Sequence, residues 1–245
     1  ALATASVAGS FPLAAALAAG GAALLVGSIA LDRARPGGLI PRRAADPAFP
    51  LGSAYLTYFC MTAAGVAFAL YAPAILQHRA GIGALEAGYL VAVEALAWTA
   101  AALSVAGSGE TWRTRFIALG AAAIFAGTVA IVPAMTSANL FAVALAGATL
   151  GAGFGLYSAF LSQRVMGAFD DAGRARGSAA ISAARNSGGA LGAAVAAIAA
   201  NAAGFGSGLS DGNAALVGWG AFGSSVPFAV VGLVFAIRVV RAAQA

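Results

Sequence analysis

Long apolar runs constrain this chain more than any other feature. A helix needs about 20 mostly apolar residues to cross a bilayer, and seven stretches qualify, at 10–31, 51–76, 86–106, 116–134, 140–163, 178–203 and 214–237. Lipid offers the backbone no water to bond with, so such runs close their hydrogen bonds internally, as helices. The expected class is an all-α membrane protein, a bundle of about seven transmembrane helices. Composition agrees: 61% of the residues are hydrophobic and 9% are charged, against about 25% charged in soluble domains.

The later connections are short, around 78–85, 107–115, 135–139, 167–177 and 204–213, which favours an up-down bundle. The stretch Asp32–Pro50 differs. It is basic and holds four prolines, so it reads as a linker between residues 1–31 and residues 51–245. The first run does not resemble a signal peptide, because no basic segment precedes it and Arg33 and Arg35 follow it.

The charges orient the bundle. The chain has thirteen basic residues, all arginine, and eight acids. With the 32–50 linker placed in the cytoplasm, Arg33, Arg35, Arg42, Arg43, Arg113, Arg115, Arg164, Arg174, Arg176, Arg238 and Arg241 all fall on that side. Only Arg79 falls outside, and Arg185 lies within a run. The bias follows the positive-inside rule and puts the C-terminus in the cytoplasm. The arginines are dispersed among short loops, so no nucleic-acid partner is expected. The Arg-, Ala- and Gly-rich, lysine-free composition points to a bacterial plasma (inner) membrane.

Absences narrow the chemistry further. Without lysine there is no retinal Schiff base. His78 is the only histidine and Cys60 the only cysteine, so the chain alone offers no bis-histidine haem site, two-histidine zinc site or internal disulfide. Gly151-x-Gly153-x-Gly155 lies inside an apolar run rather than between a strand and a helix, so it is no nucleotide fingerprint. Neither an enzyme nor a metal or cofactor is expected.

Small residues recur at helical spacing. Gly147, Gly151 and Gly155 form one stripe, and Ala180, Ala184, Gly188 and Gly192 form another. In lipid, helices associate through such stripes because they let backbones approach closely. Gly151, Gly155, Gly188 and Gly192 are therefore structural or gating candidates.

Two ionisable residues lie deep within runs. Glu94 is about 12 Å inside its span, where a charge is costly and marks a functional site by default. A carboxyl there can take up and release a proton. Trp98, four residues on, shares its face. Arg185 could bind an anionic substrate, neutralise a buried acid, or snorkel toward the cytoplasm; a structural or gating role is expected. Tyr58, Tyr71, Phe154 and Tyr157 are candidates to line a substrate cavity with Trp98. Tyr55, near the cytoplasmic end, reads as an interfacial-belt residue. The Asp170, Asp171, Arg174 and Arg176 cluster reads as a solvated hairpin.

Three local sequences carry a resemblance. Ala72–Ala92 (APAILQHRAGIGALEAGYLVA) has an apolar run ending in Gln77, then Gly81 and Gly83, then the pair Ala87-Gly88. Gly151–Gly155 reads GAGFG, and Gly177–Ala194 reads GSAAISAARNSGGALGAA. In this order they resemble the seventh-to-eighth, tenth and eleventh helices of the drug:proton antiporter branch of the major facilitator superfamily. The loop GSGETWRTR (Gly107–Arg115) keeps Glu110, Arg113 and Arg115 but departs from that family's Gly-x-x-x-Asp-Arg-x-Gly-Arg pattern. The resemblance implies that 51–245 is a C-terminal six-helix transporter half and 1–31 the last helix of the preceding half. Ala1 would then be a cut end. It also implies proton-coupled export (efflux) of small amphipathic or hydrophobic compounds, as in multidrug antiporters; Glu94, from its depth, is the candidate to couple the proton, the alternative being a glutamate that only ties helices together. The expected partners are a small-molecule substrate, protons, the lipid bilayer and the missing N-terminal half. Metabolite uptake by the same fold, or a membrane interaction subunit that transports nothing, are the alternatives.

Overall fold

The computed structural model describes residues 11–34 and 46–242. Those residues form α1 (Phe11–Ala34), α2 (Pro50–Ala80), α3 (Ala84–Val105), α4 (Glu110–Thr136), α5 (Leu140–Met166), α6 (Asp171–Ala202), a 3₁₀ turn (Phe205–Ser207), α7 (Ala214–Gly223) and α8 (Val226–Arg241). Among the described residues there is no strand. Most of the 32–50 linker lies outside them.

Among the described residues, five spans are long and apolar enough to cross a membrane: α2, α3, α4, α5, and α7 with α8 taken together. Their outer faces carry large apolar side chains, among them Leu85, Leu96, Leu103, Phe141, Leu145 and Leu216, each more than half exposed. An apolar surface of that extent suits a lipid or protein neighbour rather than water. The remaining two expected runs differ. Helix α1 is apolar through most of its length but ends in the charged residues Asp32 and Arg33. Helix α6 has 32 residues, ample length, but Arg174, Arg176, Arg185, Asn186 and Asn201 dilute its hydropathy below that of a lipid-immersed span.

Two boundaries depart from the apolar pattern for identifiable reasons. Helix α6 begins at Asp171, so most of the expected 167–177 hairpin is helical. The Asp170 carboxylate accepts a hydrogen bond from the Gly173 amide at 2.8 Å, and Asp171 adds an acid to the first turn; both favour a helix start there. Arg174 and Asp171 pair at 2.9 Å along this turn. The single helix expected over 214–237 is interrupted at Ser224–Ser225. Pro227 sits in the first turn of α8, and its missing N–H cannot donate to the turn before it. The Ser225 amide turns to the Phe222 carbonyl, and the Ser224 hydroxyl takes the Ala221 carbonyl that it leaves.

The glycine contacts set direction and order. A Cβ on Gly151 would collide with the carbonyl of Glu94, and one on Gly155 with that of Trp98. Both numbers rise together, so α5 and α3 run parallel. Gly188 and Gly192 of α6 meet the carbonyls of Phe59 and Ala63 in the same manner, so α6 and α2 run parallel. Gly120 of α4 meets the Gly153 carbonyl, 2.6 Å from where its Cβ would be, and Gly127 meets Leu150; α4 and α5 are antiparallel. Directions alternate along the chain, and the helix ends sort accordingly. Arg113, Arg115, Arg164, Arg174, Arg176, Arg238 and Arg241 gather at one end and Arg79 at the other.

The helices also exchange partners between two triplets, α2–α4 and α5–α8 with α7 and α8 counted together. Helix α2 packs chiefly on α6 and α8, while α5 packs chiefly on α4 and α3. The first helix of each triplet thus lies against the second and third elements of the other. Where α2 and α5 cross, each offers a glycine to the other's phenylalanine. The Phe154 ring fills the space at Gly65, and the Phe68 ring fills that at Gly147. Helix α1 lies against α6.

Candidate functional site: a polar recess beside Trp98

A recess of about 440 Å³ lies between α2 and α6, lined by Thr62, Ser182, Arg185, Asn186, Gly189 and Ala190. Its polar wall follows from helical spacing. Ser182 and Asn186 are four apart, so they share a face with Arg185, next to the Gly188–Gly192 contact with α2. Ser182 and Asn186 are exposed, and Arg185 and Thr62 are half-buried. The Thr62 hydroxyl oxygen is buried without a hydrogen-bond partner.

Arg185 forms no ion pair among the described residues. Its guanidinium carbon lies 5.8 Å from the centre of the Trp98 ring, within cation–π range. Trp98 in turn stacks on Phe154 at 5.2 Å and 21°. Phe154 touches Tyr157 at 5.9 Å, and Tyr157 touches Tyr58 at 5.6 Å. The row runs from the half-buried Trp98 into the core, where Tyr58 and Tyr157 are each 1% exposed. The Tyr58 hydroxyl donates to the Ser158 carbonyl at 2.6 Å. These two tyrosines brace the wall from behind.

The other expected residues sit as follows. Glu94 is half-buried on α3, one turn before Trp98, and forms no hydrogen bond or ion pair among the described residues. It does not pair with Arg185. Tyr71 stands apart, edge-on to Phe205 at 5.4 Å, beyond the far end of α6. Tyr55 is not a belt residue: it is 4% exposed and its hydroxyl donates to the Gly177 carbonyl at 3.1 Å. Gly151, Gly155, Gly188 and Gly192 occupy the close helix crossings described above.

Sequence reasoning missed Thr62, Ser182 and Asn186. The i, i+4 polar positions beside Arg185 on an alanine-rich helix were the available signal for two of them; Thr62 enters only through the α2–α6 contact. A second cleft, of about 530 Å³, opens at the arginine-rich end between α2, α4, α5 and α8, with Glu110, Arg113 and Arg164 in its lining. There Arg113 pairs with Glu110 at 3.3 Å and bonds the Ser108 carbonyl at 2.9 Å.

The chain matches no protein-family model, and no curated protein is significantly similar to it.

Proposed function

We propose that this chain is the C-terminal half of a major facilitator-like secondary transporter, with α1 as the last helix of the preceding half. In this reading it exports small amphipathic or hydrophobic compounds by alternating access, coupled to protons, across a bacterial inner membrane. The arginine-rich end and the C-terminus face the cytoplasm.

The exchange of partners between the two triplets carries the proposal. Transporters of this kind nest 3+3 inverted repeats within each six-helix half and bind substrate near the bilayer midplane. Counting α7 with α8 as one broken span gives two such triplets, α2–α4 and α5–α8. Two ionisable groups at mid-depth, Glu94 and Arg185, have no oppositely charged partner among the described residues, as groups serving a pathway do. Glu94 takes and releases the coupled proton. Trp98 and Phe154 form the aromatic wall, with Tyr58 and Tyr157 behind them, and the glycine crossings hold the wall in register.

The test is gradient-driven transport by the native polypeptide in proteoliposomes, compared with Glu94→Gln. The variant should lose most of its pH-gradient-driven flux while keeping downhill exchange of the same compound. Driven flux that is unchanged in the variant would remove the coupling role. A native polypeptide with no gradient-dependent flux in either direction would leave the second reading, a membrane interaction subunit. The exposed ridge Leu85, Tyr89, Leu96 and Leu103 of α3 favours that reading.

A further inference from the structure

We propose that the recess between α2 and α6 is an anion subsite that takes the carboxylate of a small amphipathic acid. The transporter reading is needed only to call that acid a substrate; the binding chemistry stands on the recess itself. Four polar side chains line it: the hydroxyls of Thr62 and Ser182, the amide of Asn186 and the guanidinium of Arg185. All four can donate hydrogen bonds, and no carboxylate lines the recess. The hydroxyls and the amide can also accept, but the guanidinium cannot, so a ligand that brings an anionic oxygen matches this wall while one that brings an ammonium meets a like charge.

The details of Arg185 sharpen the point. It forms no ion pair among the described residues, although a mid-membrane cation ordinarily has one. The Trp98 ring meets it with a π face, which holds the guanidinium in place but accepts few of its five N–H donors. Those donors, in the planar fork that fits a carboxylate, are left for a partner in the recess. Thr62 adds a buried hydroxyl with no partner, a hydrogen bond that a bound oxygen would complete. The half-buried Trp98 beside Arg185 offers apolar surface at the edge of the recess for the rest of the molecule, with the buried Phe154 stacked behind it.

Depth separates a small acid from a phospholipid head group. Arg185 is 14 residues after Asp171 in a helix of 32, so it lies about 21 Å along an axis of about 48 Å. Head groups lie at the ends of such a helix, outside a hydrocarbon core about 30 Å thick.

The experiment uses the full chain in lipid nanodiscs. Trp112→Phe and Trp219→Phe leave Trp98 as the one indole. Octanoate is the probe, with octanamide and octylamine as its neutral and cationic counterparts. Octanoate should change the Trp98 emission saturably and bind about tenfold or more tighter than octanamide, the ratio expected for hydrogen bonds to a charged group. Arg185→Gln should weaken octanoate by a similar factor, Arg185→Lys should recover part of the loss, and the near-isosteric Thr62→Val should weaken it severalfold. Thr62→Val decides the matter should Arg185→Gln fail to fold. The proposal is overturned if octylamine binds as tightly as octanoate, or if octanoate affinity is the same in Arg185→Gln and Thr62→Val as in the parent. Octanoate that binds in this pattern yet is never carried across a proteoliposome membrane would sink the transport reading and leave the subsite standing.

Discussion

At Gly188 any side chain would have to occupy the space of the Phe59 carbonyl, whereas at Gly189 a methyl would meet only the Thr62 Cγ2 at 3.5 Å. These neighbours therefore respond in opposite directions to one substitution. Gly188→Ala should cost about 1–3 kcal/mol, the usual price of overpacking a tight contact. Gly189→Ala should be neutral or gain up to about 1 kcal/mol from helix propensity. Thermal unfolding of the two variants in one detergent checks the prediction, and equal melting temperatures would refute it. The glycine stripes were legible in the sequence because a spacing of four puts them on one face. What they press against was not, since a backbone carbonyl on a helix far away in sequence leaves no mark in the residues around the glycine.

Helix ends show the same division between local and distant causes. The apolar pattern placed most boundaries of α2 to α5 within a few residues, since hydropathy changes where the chain leaves lipid. It failed at the start of α6, where charged residues resemble a loop and the deciding contact is the Asp170 carboxylate on the Gly173 amide. Loss of that cap by Asp170→Ala should cost about 0.5–2 kcal/mol. Faster hydrogen exchange at the amides of Gly173 to Arg176, with the amides of α5 unchanged, is the expected signature. Uniformly unchanged exchange would mean that packing, including Tyr55 on the Gly177 carbonyl, holds the turn without its cap. The recess was half legible for a related reason. Arg185 and Trp98 stand out as rare residues at depth, but their contact joins α6 to α3, and only the folded bundle brings them together.

For the molecule as a whole, the uneven distribution of arginines between its two ends predicts a single orientation. Cys60 is the only cysteine and is buried, so introduced cysteines report on a quiet background. In intact cells a membrane-impermeant maleimide should label Asp211→Cys, at the arginine-poor end, and should reach Arg174→Cys only after lysis. The reverse pattern would invert the bundle. The exchange of partners between triplets was beyond reach of the sequence, because hydropathy reports depth in the membrane but not which helix neighbours which. That exchange bears on how the protein is made. Helix α2 leaves the ribosome well before α6, and the Tyr55 hydroxyl finds its acceptor 122 residues further along the chain. At about 5–20 residues per second of synthesis, the wait is on the order of ten seconds. Over that interval the surface of α2 reserved for Gly188 and Gly192 stays open to lipid or to whatever assists insertion, and the first triplet remains an unfinished intermediate until the second arrives to close it.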